Sequence, residues 1–186
     1  MKRFLCLILM LCLLFSTSCR REPADVIRIG VNLALTGVSA PYGEDALAGI
    51  RAAADRLNTA GGIHGRKVIL RILDNASRTD LAACAAKRLE QSGVCAVIGP
   101  SLSHLTRAAL KSTDQVCLLT PGSTAVPLKP FGAEDRRLLR LCFTDDVQGA
   151  ALARYARKAG FHRAAVLYDP ALDYSVSITE AFRRTF

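Results

Sequence analysis

The chain has 186 residues, with 25 Lys and Arg against 16 Asp and Glu for a formal net charge of +9. That length holds one well-buried domain, or one domain and part of another. The positive charge is scattered through helix-like segments ("KRLE", "RRLLR", "RKAGFHR") with no aromatic interleaving, zinc-type spacing or nucleic-acid motif, so it reads as a solvated basic face and no nucleic-acid partner is expected.

Residues 1–19 form a distinct unit. Lys2 and Arg3 precede the apolar run "FLCLILMLCLLF", and small residues, "STSC", follow it. This is the pattern of a secretory signal, because the run is shorter than the roughly 20 residues that cross a bilayer. Cys19 resembles the lipid-modified cysteine of bacterial lipoprotein signals, although Ser16 stands where that motif prefers a large aliphatic residue. Lipidation at Cys19 is expected, with ordinary cleavage near Ser18 and a retained membrane anchor as the other readings. The rest of the chain is expected outside the cytoplasm.

A charged linker, residues 20–25, leads into the strand "VIRIGVNLAL" and the loop "TGVSAPYG". Leu47, Ile50, Ala53, Ala54 and Leu57 then recur at helical spacing, which predicts a helix over 44–60. Asn58 and the Gly61-Gly62 pair supply the left-handed geometry that closes helices, Gly65 permits a tight turn, and "KVILRIL" reads as a buried strand ending at Asp74-Asn75. Next come the helix "RTDLAACAAKRLEQSG", with Thr79 and Asp80 as caps, and the strand "VCAVIG". The helix "HLTRAALKSTD" and the strand "VCLLTP" complete this unit. A second unit starts at about Asp135, with the strand "RRLLRLCFTDD", the helix "VQGAALARYARKAG", the strand "RAAVLYD" and the helix "VSITEAFRRTF".

Alternating, near-continuously apolar strands and helices specify an α/β fold with a doubly wound parallel sheet covered on both faces. Ligands of such sheets bind beyond the carboxyl ends of the strands. The loops there, "TGVSAPYG", "DNASRTD", "GPSLSH" and "TPGSTAVP", are rich in Gly, Ser, Thr and Pro. They offer hydroxyls and backbone N–H groups to a small polar ligand, with no nucleophile–base pair. The turn "GVNLALTG" also lacks the G-x-G-x-x-G phosphate motif, so neither an enzyme nor a nucleotide cofactor is expected. Cys6 and Cys12 lie in the leader. Cys84, Cys95, Cys117 and Cys142 show no disulfide framework and are expected to be buried free thiols, although a Cys95–Cys117 bridge between neighbouring strands is geometrically conceivable. His64, His104 and His162 are far apart, so solvated side chains are expected and no metal site.

Four segments in order, "IRIGVNLALTGVSAPYGEDALAGIRAAADRLNTAGGIHGRKVILRILDNAS", "AVIGPSLSHLT", "LLTPGSTA" and "LRLCFTDDVQGAALARYA", resemble the amino-terminal half of type I periplasmic solute-binding proteins. The resemblance is to the leucine/isoleucine/valine-binding group of ABC importers. It implies a first ligand-binding lobe over 26–134, then a crossover and an incomplete second lobe over 135–186. It also implies a two-lobed clamp that hands an amino acid to permease and ATPase subunits; with the leader's resemblance to a lipoprotein signal, the chain is expected in the periplasm or at the outer face of the cell membrane, anchored through Cys19. By the same resemblance Ser103 bonds the ligand's α-carboxylate, Thr124 bonds both carboxylate and α-amino group, and the Gly122 carbonyl accepts from the amine. Tyr42 and Tyr174 flank the ligand. Other readings of these residues are a helix cap for Ser103, a turn residue for Thr124 and a packing aromatic for Tyr42. The chain departs from the family where a disulfide is often found, having Ser77 and Leu102 there. The acidic residue that usually pairs with the ligand ammonium falls in the part of the family pattern not matched, so a half-site that binds weakly is expected. A ligand-sensing module, or a remnant without transport activity, shares the same fold.

Overall fold

The computed structural model describes residues 26–126 and 136–186; the leader, Cys19 and the boundary near 135 lie outside them. Within these residues the strands are β1 (Val26–Leu33), β2 (Lys67–Asp74), β3 (Ala96–Ile98), β4 (Cys117–Thr120) and β5 (Leu138–Arg140). The helices are α1 (Ala40–Thr59), α2 (Thr79–Gln91), α3 (Ser103–Ser112), α4 (Asp145–Lys158) and α5 (Asp173–Thr185). All strands pair in parallel, in the order β2-β1-β3-β4-β5.

Because alternate strand residues point to opposite faces, the sheet builds two cores. On one face α2 and α3 enclose Ala86, Leu89, Val97, Ala109, Leu110 and Leu118. On the other, α1 packs Leu47 against Val31 and Leu33. A helix with its side chains is about 10–12 Å across and strands lie about 4.8 Å apart, so one helix covers about two strands. Among the described residues the α1 face over β3, β4 and β5 is therefore left open. Leu139 and Leu141 are 54% and 70% exposed there, and an apolar groove runs from Ile50 and Leu57 to Ile98 and Leu119. The predicted α1 stripe is accordingly only partly used: Leu47 and Ala54 are buried, but Ala53 is exposed and Leu57 is 41% exposed.

The turn between α1 and β2 behaves as its glycines require. Gly61, Gly62 and Gly65 have φ of 95°, 81° and 77°, and a Cβ on Gly62 would stand 2.2 Å from the Arg66 carbonyl oxygen.

Four expectations are corrected. α1 begins at Ala40 rather than residue 44, since Pro41 fits the first helical turn, where no N–H is needed. Thr79 and Asp80 do not cap α2: Arg78 occupies the cap position without a side-chain bond, and Asp80 pairs with Arg78 instead. "RAAVLYD" forms no strand, because no neighbouring strand lies alongside to complete a ladder. The four described cysteines are free, yet Cys84 and Cys95 are exposed and Cys117 and Cys142 half-buried, since these positions fall outside the two enclosed cores.

Candidate functional site

The sheet reverses its winding at β1: β2 lies on one side of it and β3 on the other. The loops leaving the carboxyl ends of β1 and β3 therefore diverge and leave a crevice. Its rim is tied by side chains at the end of β2. Asp74 accepts hydrogen bonds from the Leu35 N–H (2.8 Å), the Ala76 N–H (2.7 Å) and the Thr36 hydroxyl (2.6 Å). Buried Asn75 donates to Asn32 Oδ1 (3.0 Å), and Asn32 donates in turn to the Ala82 carbonyl (2.9 Å). The Asp-Asn pair that ends "KVILRILDN" thus fixes the loop after β1 and the start of α2.

A second set of bonds joins the loops after β3 and β4. The Pro100 carbonyl accepts from the hydroxyls of Thr106 (2.9 Å) and Thr120 (2.6 Å). The Ser123 hydroxyl lies 2.5 Å from that of Thr106, and the Ser123 N–H donates to Thr120 Oγ1 (3.1 Å). All three hydroxyl residues are fully buried. With both carbonyl lone pairs and each hydroxyl proton used, the cluster is satisfied and rigid. Arg140 adds donations from Nη1 to the carbonyls of Ser123 (2.6 Å) and Ala125 (3.0 Å).

On this frame the structure brings some of the sequence-derived residues together. Ser103 is the first residue of α3, is 4% exposed, and accepts from the Ala125 N–H at 3.2 Å. It caps no helix through its side chain. The Thr124 carbonyl accepts from the Asp145 N–H (2.9 Å), while Gly122 is exposed on the same loop. Ser103, Gly122 and Thr124 therefore share one patch beside the α3 N-terminus, where oriented N–H groups favour an anion. Tyr42 stands apart on the first turn of α1, 69% exposed, which rules out the packing role. Tyr174 is 45% exposed on the first turn of α5. Its neighbour Asp173 is ion-paired with Arg107 of α3, so α5 is drawn to the α3 side of the crevice. Ser177 strengthens that seam: its hydroxyl accepts from the Val126 N–H at 2.9 Å and lies 3.3 Å from the Val126 carbonyl.

The residue that sequence reading missed is Asp145, at the start of α4. Its side chain is fully buried. Burial pushes its pKa up; hydrogen bonding from the Thr124 and Ser177 side chains and the Arg140 charge act the other way, and Asp146 adds to the rise. In "TDDVQG" it reads as an ordinary first-turn acid, and the groups that surround it, Thr124, Arg140 and Ser177, come from other segments. His104 is half-buried rather than solvated, and burial together with the Arg107 charge lowers its pKa, which keeps it neutral at neutral pH. Among the described residues no group of three His, Cys, Asp or Glu is placed to hold a metal ion, and no helix is long and apolar enough to cross a membrane.

Residues 26–186 match the family model described as periplasmic binding protein. A Leu/Ile/Val-binding protein of Rhizobium johnstonii, BraC3, is 30% identical over 86% of this chain and 43% of its own length. Among solved structures, the branched-chain amino acid transporter substrate binding protein LivJ of Streptococcus pneumoniae, in complex with isoleucine, is 33% identical with a TM-score of 0.79. That match covers 87% of this chain and 47% of LivJ. The leucine binding protein LivK of Thermotoga maritima is 32% identical with a TM-score of 0.76, over 87% and 45% of the two chains. The chain thus spans under half the length of these relatives.

Proposed function

Because the chain belongs to the periplasmic binding protein family, we propose that it binds a branched-chain amino acid in the crevice beyond β1, β3 and β4, as the solute-binding component of an ABC importer. The observation that carries this reading is the patch of Ser103, Gly122 and Thr124 at the α3 N-terminus. Ser103 and the α3 N–H groups hold the α-carboxylate without a formal counter-charge. Thr124 and the Gly122 carbonyl take the remaining polar atoms, and Tyr42 and Tyr174 border the side chain from either side. Permease and ATPase subunits are the partners of such a component. Membership of the family supports a location outside the cytoplasm, and in this reading Cys19 anchors the chain to the membrane surface through lipid.

Ligand-observed NMR with the full chain tests the reading at millimolar ligand. Leucine, isoleucine and valine are expected to bind, with lysine and glutamate weaker or silent. Ser103→Ala combined with Thr124→Ala removes two bonds to a charged group, worth together about 3 kcal/mol, so affinity is expected to fall roughly a hundredfold. Equal signals from all five amino acids, or a double variant that binds as the parent does, would refute the site. Anchoring is checked separately: incorporation of a palmitate analogue is expected to vanish in Cys19→Ala.

A further inference from the structure

We propose that residues 163–169 are the contact through which two copies of this chain associate, as an antiparallel two-stranded ribbon with its twofold axis at Val166. The inference is independent of what the crevice binds.

The segment "RAAVLYD" has every property of a strand except a ladder. Residues 161–169 form no helix or turn, and among the described residues no backbone N–H or carbonyl of 162–168 has a hydrogen-bond partner. Its side chains nevertheless alternate as an extended chain requires. Ala164, Val166 and Tyr168 line a groove against Thr179 and Phe182 of α5. The residues between them take no part in that groove, and Leu167 is fully exposed. Pro170, which has no N–H to give, ends the run. Bare backbone groups beside an exposed apolar side chain are a template for another strand.

Charge selects the occupant. Arg163 and Asp169 are the only Lys, Arg, Asp or Glu residues in 161–170; both are exposed, and they stand equally far from Val166 on the same side of an extended chain. Antiparallel pairing about Val166 sets Arg163 of each copy opposite Asp169 of the other, so both ends of the ribbon are neutralised. The same register lays each Leu167 against Ala165 of the other copy, large against small. A slip of one residue would turn the α5-facing side chains of one copy to the outer face of the other. Parallel pairing would set Arg163 against Arg163 and Asp169 against Asp169, which is destabilising. A second copy in one register is therefore the complement, and a contact that complements itself closes as a dimer. A ribbon this short is at the small end of specific interfaces, so the dimer is weak and grows with concentration.

Sedimentation equilibrium of the full chain, under reducing conditions at fixed salt and over a range of concentrations, tests this. The parent is expected to show a monomer–dimer equilibrium. Arg163→Asp and Asp169→Arg are each expected to weaken it about tenfold, because both ends of the ribbon then oppose like charges. The two changes move the net charge in opposite directions, so a general effect of charge could not weaken both. The double variant, Arg163→Asp with Asp169→Arg, is expected to dimerise as the parent does, and so is an equimolar mixture of the two single variants. Leu141→Glu, on the open face of the sheet, is expected to leave the dimer intact. A parent that is monomeric throughout, single variants that dimerise as the parent does, or a loss that neither the double variant nor the mixture restores overturns the inference. Association lost in Leu141→Glu and kept in Arg163→Asp overturns it in favour of the open sheet face.

Discussion

Asp74 and Glu90 each use one carboxylate to organise a turn of backbone. Glu90 accepts from the N–H groups of Gln115 (2.8 Å), Val116 (2.9 Å) and Asp114 (3.0 Å), holding the entry to β4. Desolvation opposes the charge on both residues, but the hydrogen bonds outweigh it and both pKa values lie below the ordinary carboxylate range. Their stabilisation is therefore complete above that range and is lost as pH falls through the lowered values. Asp145 has the opposite sign. Its raised pKa means that the folded chain takes up a proton before the unfolded one does, so its destabilising effect is relieved as pH falls from the raised value toward the usual one. Glu90→Ala is expected to cost about 1–2 kcal/mol at neutral pH and nothing at pH 2, read as a shift in urea midpoint. An equal loss at both pH values would show that the Glu90 stem, not its charge, holds the loop.

Between elements, the closest approach is that of α4 to α5. A Cβ on Gly149 would stand 2.7 Å from both the Ala181 Cβ and the Ile178 carbonyl oxygen, so the two helices meet where only hydrogen fits. Gly149→Val is expected to part them, at about 1–3 kcal/mol, and to speed amide exchange along α5 while β1 to β4 stay protected. Unchanged exchange in α5 would show that the Arg107–Asp173 and Val126–Ser177 contacts suffice to hold it. Most of these elements were legible in the sequence, since a helical stripe such as Leu47-Ile50-Ala54 and the apolar run "KVILRIL" carry their period locally. "RAAVLYD" has the composition of a strand, but a strand exists only with a partner, and none lies alongside it among the described residues. Ser103, Gly122 and Thr124 were singled out by the family resemblance rather than by local pattern, and the fold gathers them beside the α3 start. Asp145 was not, because the groups around it, Thr124, Arg140 and Ser177, come from separate parts of the chain. The cysteine exposures were missed for a related reason: apolar neighbours in sequence do not say which strip of sheet a helix will cover.

For the whole molecule, the uneven cover of the sheet is the dominant feature. α2 and α3 close one face, whereas the other carries exposed Leu139 and Leu141 beside the groove at Ile98 and Leu119. Apolar surface of this kind drives association, and the net charge of +9 opposes it through mutual repulsion. Added salt is therefore expected to promote self-association, because it screens the repulsion and leaves the apolar attraction. Sedimentation at about 50 mM and 500 mM salt checks this; a monomer at both would mean that the open strip is too small to matter. The position of β1 has a consequence in time as well as in space. It is the first described strand and an interior one, bonded along one edge to β2 and along the other to β3. During synthesis this interior strand leaves the ribosome before its partners and waits, with both edges bare, for residues 67–74 and then 96–98. At about 5–20 residues per second the second edge stays vacant for several seconds. The assembly grows outward from its oldest strand, and the nascent chain is most exposed to mispairing before β3 is made.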